Sequence, residues 1–165
     1  MTRSLLATMI LFSSTIWAMP EDGSQYSLLD EINADNVTSL EPIFTYHTGD
    51  FSHGFKSKGH TFQATPVYRD GRLYVSTSSN LVLAVDAGTG KEIWRVTYDG
   101  YSVVPRPIFG HGLVYICTGW SPPKLLAIRP NGTGDVTESH VEWKTPRGVP
   151  NTPSTILVGD ELYFI

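Results

Sequence analysis

The chain has 165 residues, of which 41% are apolar and 17% are charged, and its net charge is −4. This composition is typical of a folded soluble protein and argues against disorder. Because lysine and arginine form no cluster, it also argues against a nucleic-acid-binding protein and against an electrostatic membrane patch.

Residues 1–18 have the pattern of a secretory signal peptide. Arg3 supplies a positive start, residues 5–17 are mostly apolar, and Ala18 offers a cleavage point. The apolar stretch is shorter than the roughly 20 residues that a membrane span requires. We therefore expect a periplasmic or extracellular protein with no transmembrane span after signal removal. An uncleaved N-terminal anchor is the alternative.

The N-terminal segment, residues 19–42, is polar and rich in turn formers. Residues 35–40 favour one helical turn, with Asp35 or Asn36 as its cap. From residue 43 onward the pattern favours strands and turns, beginning with an alternating strand over residues 43–47 and a polar loop over residues 48–61.

A pattern then recurs along residues 43–165, which we interpret as a partial β-propeller. Prolines at 66, 107 and 153 are 41 and 46 positions apart, whereas tyrosines at 74, 115 and 163 are 41 and 48 apart. A repeat of about 40–50 residues holding four short strands has the size of a propeller blade. Blade repeats are expected near residues 43–50, 62–94, 104–143 and 151–165.

This pattern predicts an all-β fold of four-stranded antiparallel blades, here a truncated fragment of about three partial blades. Each blade is apolar on both faces, so one blade cannot bury its faces without its neighbours. The sequence stops at Ile165 inside an apolar strand, which is the reason for expecting a fragment.

Five residues carry a resemblance to a known family. Ala84, Asp86, Thr89, Gly90 and Trp94 match the tryptophan-docking motif of pyrroloquinoline-quinone (PQQ)-type propellers. Gly90 permits a positive φ, and Asp86 and Thr89 can bond N–H groups of the turn. Trp94 offers a large surface for the next blade, and Ala84 leaves room for that contact. We interpret all five as structural.

The second copy departs from the motif. Arg129 replaces the aspartate, and an insertion precedes Trp143, which is the second docking tryptophan. In an earlier, incomplete copy Phe44 stands where tryptophan is usual.

The resemblance extends to whole segments. Residues 26–95 resemble quinoprotein glucose and alcohol dehydrogenases, and residues 96–165 resemble PQQ-like repeat propellers without known catalysis. The enzyme resemblance implies a PQQ cofactor, a calcium ion that polarises it and an aspartate base. It places the calcium ligands and the base in later blades, beyond Ile165. The adjacent cysteines of the alcohol enzymes are absent here.

Two residues are candidate cofactor contacts. Gln63 stands where many of these enzymes carry a glutamate, and a plain residue at the start of a strand is the alternative. Arg106, in a Pro-Arg-Pro segment, could face a carboxylated cofactor or be a surface turn arginine. No catalytic residue is assigned, because the sequence shows no Ser-His-Asp arrangement, phosphate loop or paired-carboxylate motif. No metal ligand is assigned, because the five histidines lack metal-ligand spacing with cysteines or carboxylates. The single cysteine, Cys117, fits a core position.

Two hypotheses about function follow. The first is a secreted, non-catalytic scaffold or binding propeller with a protein partner. The alternative is a PQQ- and calcium-dependent quinoprotein dehydrogenase, an oxidoreductase acting on the CH–OH groups of alcohols or sugars. Fold alone does not choose between them.

Overall fold

The structure is a computed structural model that describes residues 30–48, 65–100, 104–120 and 122–164. The predicted signal peptide and Gln63 lie outside the described residues. Within the described ranges, no helix is both long and apolar enough to cross a membrane.

The described N-terminal residues contain a single 3-10 turn, Val37–Ser39. Asn33 precedes this turn: its carbonyl accepts the Val37 N–H at 2.9 Å, and its side chain accepts the Asp35 N–H at 3.0 Å. The predicted turn is therefore confirmed. Asn36, one of the two predicted caps, directly precedes it, and its side-chain oxygen accepts the Asn33 N–H at 2.9 Å. The strand predicted over residues 43–47 is wrong, because these residues form no ladder.

Eleven short strands in the described residues form three sheets, which correspond to successive blades. Blade 1 contains β1 (Val67–Arg69), β2 (Arg72–Ser76), β3 (Leu81–Asp86) and β4 (Glu92–Thr97). Blade 2 contains β5 (Ile108–Gly110), β6 (Leu113–Cys117), β7 (Leu125–Ile128) and β9 (Val141–Thr145). Blade 3 is the hairpin of β10 (Ile156–Val158) and β11 (Glu161–Tyr163).

Neighbouring strands within each blade are antiparallel, and the register of the first hairpin repeats. The tyrosines at 74, 115 and 163 pair with Val67, Ile108 and Ile156, which begin the first strand of each blade. Thr155, rather than Pro153, is therefore the third-blade equivalent of Pro66 and Pro107. The spacing of 46 taken from the prolines misaligns the third copy, and the tyrosine spacing is the correct one.

Side chains alternate between the two faces of each strand and build two cores. On β6, Val114 and Ile116 face blade 1, whereas Tyr115 and Cys117 face blade 3. The first core contains Trp94, Val82 and Ala84 from blade 1, all fully buried. These antiparallel blades, of which blade 2 packs against a neighbour on each face, agree with the propeller fold expected from the sequence.

The insertion before Trp143 forms a strap, residues 133–140, along the outer edge of blade 1. It contains β8 (Gly134–Asp135), which pairs in parallel with β4, and the four-residue helix α1 (Thr137–His140). The Val136 N–H donates to the Arg95 carbonyl at 2.9 Å, and the Thr97 N–H donates to the Thr137 hydroxyl at 2.9 Å. The strap thereby satisfies backbone groups that an edge strand would leave open.

Arg129, which replaces the motif aspartate, holds the base of this strap. Its backbone N–H donates to the His140 carbonyl at 2.9 Å, and its guanidinium donates to the Ser139 carbonyl. The same guanidinium lies 3.2 Å from the Glu142 carboxylate. The substitution and the insertion are therefore parts of one local structure.

Candidate functional site

The docking-motif turn of blade 1 is held by one carboxylate. Asp86 Oδ1 accepts the Gly88 N–H at 3.1 Å, the Thr89 N–H at 2.7 Å and the Thr89 hydroxyl at 2.7 Å. These bonds, the Thr89 hydroxyl foremost, lower the pKa of Asp86. Gly90 follows with a φ of +71°, a conformation that strains any other residue.

Trp94 docks on blade 2 through a backbone acceptor. Its side chain is fully buried, and its indole N–H donates to the Pro130 carbonyl at 2.9 Å. The Arg72 guanidinium donates to the same oxygen at 2.8 Å. The Tyr74 ring lies beside the indole, with ring centroids 5.9 Å apart. Blade 1 therefore reaches blade 2 by two donors that converge on one carbonyl.

Phe44 packs on the blade 1 turn. A Cβ built on Gly90 would lie 2.5 Å from Phe44 Cδ2, so the ring occupies the space that a side chain at position 90 would need. Two residues further on, the Tyr46 hydroxyl donates to Glu92 at 2.7 Å. Burial and this bond raise the pKa of Tyr46 to about 12. Residues 44–46 thus contact blade 1 without joining its ladder.

Trp143 repeats the position of Trp94 but not its burial. It pairs with Ala127 as Trp94 pairs with Ala84, and each pair adjoins a register shift in the ladder. Its ring centroid lies 5.9 Å from that of Tyr115, yet Trp143 is 40% exposed.

Arg106, the second candidate cofactor contact, lies at the upper end of the blades, which we define as the end where β1, β5 and β10 begin. The peptide group that joins Pro105 to Arg106 is bonded at both of its poles. Its carbonyl accepts the Ser76 hydroxyl at 3.2 Å, and its N–H donates to the Ser154 hydroxyl oxygen at 3.1 Å. Sequence reasoning missed both serines, since nothing in the pattern marks them.

The Arg106 side chain is half-buried, and no carboxylate in the described ranges forms an ion pair with its guanidinium. Buried prolines flank it on both sides and restrict its backbone. A half-buried, unpaired guanidinium on a fixed backbone suits a carboxylate ligand. Arg106 therefore fits a carboxylate group of an anionic organic cofactor.

The described residues contain no cluster of carboxylate, imidazole and thiol ligands. Among them, no group of three or more His, Cys, Asp or Glu side chains could hold a metal ion. A surface cavity of about 110 Å³, lined by residues that include Tyr98, Lys124 and Lys144, is smaller than the roughly 300–1,000 Å³ of small-molecule sites.

Cys117 is not a candidate nucleophile. It is 1% exposed, and burial raises the pKa of its thiol to about 11. The thiol is therefore uncharged at neutral pH and packs as a small apolar group.

Comparison with known proteins identifies the family. The family model described as the glucose/ethanol/alcohol dehydrogenase β-propeller domain, PQQ type, matches residues 15–125. The chain belongs to this family. The match continues well past residue 95, where the resemblance to the enzymes was expected to end.

Several relatives are named as dehydrogenases. A glycerol dehydrogenase large subunit of Gluconobacter oxydans is 32% identical over 108 residues, which are 64% of this chain and 14% of the relative. A quinoprotein alcohol dehydrogenase of Pseudomonas putida is 41% identical over 73 residues, 44% of this chain and 11% of the relative. This PQQ-family chain thus spans a small part of the length of the curated relatives it matches.

The crystal structure of a quinohemoprotein alcohol dehydrogenase from Comamonas testosteroni superposes on the chain with a TM-score of 0.63 and 26% identity. The superposition covers 83% of this chain and 20% of that protein. Because these relatives carry the names of dehydrogenases, the comparisons favour the enzyme alternative over the scaffold that the sequence placed first.

Proposed function

We propose that the full-length protein is a PQQ- and calcium-dependent quinoprotein dehydrogenase that oxidises alcohols or sugars, and that this chain supplies blades of its propeller. The observation that carries the proposal is the family match over residues 15–125. The names of the relatives, which include glycerol and alcohol dehydrogenases, support the substrate class. An exported protein, directed by residues 1–18, is part of the same proposal.

In this proposal Arg106 holds a carboxylate of PQQ at the upper end, and Gln63 is a second cofactor contact, through its neutral hydrogen-bonding side chain. PQQ, when bound, accepts the hydride that the substrate loses. The Arg106 guanidinium contributes charge and orientation, because its backbone is fixed on both sides. The calcium ligands are proposed to lie outside the described residues.

The docking residues have a structural role in this proposal. They hold neighbouring blades in register and leave the upper end free for ligand contacts. They are Ala84, Asp86, Thr89, Gly90, Trp94 and Trp143. No catalytic residue is proposed within this chain.

The test is to titrate the full-length protein with PQQ and calcium while following dye reduction with alcohols and sugars. We expect stoichiometric PQQ uptake with turnover. Arg106→Ala should weaken PQQ binding by about tenfold or more, since it removes a charge-assisted bond. Arg69→Ala, at the opposite end of blade 1, is the matched control and should bind PQQ normally. A well-folded protein that takes up no PQQ would refute the enzyme proposal and restore the scaffold.

A further inference from the structure

Three blades meet at one peptide group. The peptide between Pro105 and Arg106 belongs to blade 2, and Arg106 lies two residues before β5. Ser76 ends β2 of blade 1, and Ser154 lies two residues before β10 of blade 3. Each serine hydroxyl bonds one pole of that peptide, at 3.2 Å and 3.1 Å. The orientation of the peptide plane is therefore set by both neighbouring blades.

The two hydroxyl bonds restrict the backbone of Arg106 more than the flanking prolines would by themselves. Pro107 disfavours helical backbone at Arg106, and the two hydroxyl bonds resist rotation of the peptide that precedes it. Ser76 is 1% exposed, so water competes little for its hydroxyl. The guanidinium extends from a backbone that is fixed before any ligand arrives, and such preorganisation reduces the entropy lost on binding.

We propose that Ser76 and Ser154 are positioning residues for Arg106, which they hold ready for a carboxylate of the quinone cofactor. This inference rests on the proposed function, because it assigns the serines to the same cofactor end. Neither serine is proposed to touch the cofactor. Their effect on binding is therefore expected to pass entirely through Arg106.

A binding cycle on the full-length protein tests that route. PQQ affinity is measured without substrate, by fluorescence titration, in Ser154→Ala, Arg106→Ala and the double variant. Ser154→Ala should weaken binding by about fivefold, the effect of one hydrogen bond. In the Arg106→Ala background the same change should have no further effect. An equal loss in both backgrounds would overturn the proposal.

Two controls sharpen the cycle. Ser154→Thr retains the hydroxyl and should bind PQQ like the unmodified protein. The trimethyl ester of PQQ carries no carboxylate charge, so its affinity should be the same in Ser154→Ala and in the unmodified protein. A loss of ester binding would overturn the route through Arg106.

Hydrogen exchange of the Arg106 amide tests, without any ligand, whether the Ser154 hydroxyl holds this peptide group. We expect exchange about tenfold faster in Ser154→Ala, since that N–H loses its acceptor, and normal exchange in Ser154→Thr. Unchanged exchange in Ser154→Ala would contradict the proposal that Ser154 holds the peptide group of Arg106. A protected amide in a protein that binds no PQQ would instead refute the proposed function and, with it, the positioning role.

Discussion

Blade 1 and blade 2 share a ladder but differ in the turn that follows its third strand. In both, an alanine of the third strand pairs with a tryptophan of the last strand beside a register shift. The turn of blade 1 is closed by Asp86, whereas Arg129 takes that position in blade 2 and bonds the strap. The alanine–tryptophan register is therefore common to the two blades, and the chemistry of the turn is replaceable.

The outer edges of the two blades also differ. Blade 1 has its edge strand covered by the strap, and the Thr97 N–H is satisfied by a Thr137 hydroxyl. In blade 2 the position equivalent to Thr97, three residues after the tryptophan, is Pro146. A proline has no N–H group that would need an acceptor. Charged side chains, Glu142 and Lys144, stand on the last strand of blade 2. One edge is covered, whereas the other is protected by its own residues.

The largest expected difference lies in the two tryptophans. Trp94→Ala should lower the free energy of unfolding by about 3–5 kcal/mol, because it empties a fully buried site. Trp143→Ala should cost about 1 kcal/mol, since the side chain is already 40% exposed. Urea unfolding of both variants measures the difference. Equal costs would mean that the two blades do not differ in docking.

The next effect concerns Gly90. Gly90→Ala should destabilise the protein by about 2–3 kcal/mol, because a positive φ and a close aromatic ring both oppose a Cβ. Gly71→Ala is the matched control: its φ is +76°, yet nothing lies within 4 Å of its Cβ position. Its cost should be about 1 kcal/mol, from backbone strain alone. If both variants melt alike, Phe44 does not press on the turn.

A smaller effect on stability is expected at the position where blade 1 carries a serine and blade 2 carries a cysteine. Ser76 ends β2, and Cys117 ends β6 at the equivalent position. Cys117→Ser should cost about 1–3 kcal/mol by burying a hydroxyl among apolar groups. The native thiol should react with a disulfide reagent at pH 8 only when urea unfolds the chain, since its pKa is raised to about 11. Rapid labelling of the folded protein would contradict the buried position.

The smallest effect is the acid response of the blade 1 turn. Folding lowers the pKa of Asp86, chiefly through the Thr89 hydroxyl. Its carboxylate therefore adds stability above the ordinary aspartate pKa of about 3.9, and this stability is lost as the pH falls through the lowered folded-state value. Asp86→Asn should show a shallower loss of stability in acid than the parent chain. Melting temperatures between pH 2 and 7, in the range set by these pKa values, measure this.

The fold was predictable because propeller repeats leave a periodic signal. Equivalent tyrosines recur 41 and 48 positions apart, and the spacing of 48 gave the correct third-blade register. The proline spacing misled, because Thr155 fills a place where proline is permitted but not required. The strap was visible only as an insertion, since nothing in residues 133–140 indicates a parallel strand on the preceding blade.

The candidate site was less predictable. Arg106 could be named from sequence because the family resemblance implies a carboxylated cofactor, which a cation in the Pro-Arg-Pro segment could face. Ser76 and Ser154 could not be identified from sequence, because their hydrogen bonds to the Pro105–Arg106 peptide join three blades and depend on tertiary contacts. A hydroxyl at the end of a strand carries no local signature of its partner. Hydrogen bonds that join separate blades are therefore visible only in the folded structure.

The Pro130 carbonyl, which accepts from both Trp94 and Arg72, has a consequence for how such repeats can diverge. An oxygen of the main chain is present whatever side chain position 130 carries. The receiving blade can therefore change its residues, as it has at Arg129, without losing the acceptor on which its neighbour depends. Because one blade contacts the next through a main-chain oxygen, the side chains of each repeat can change and insertions can arise while the packing between neighbouring blades is retained.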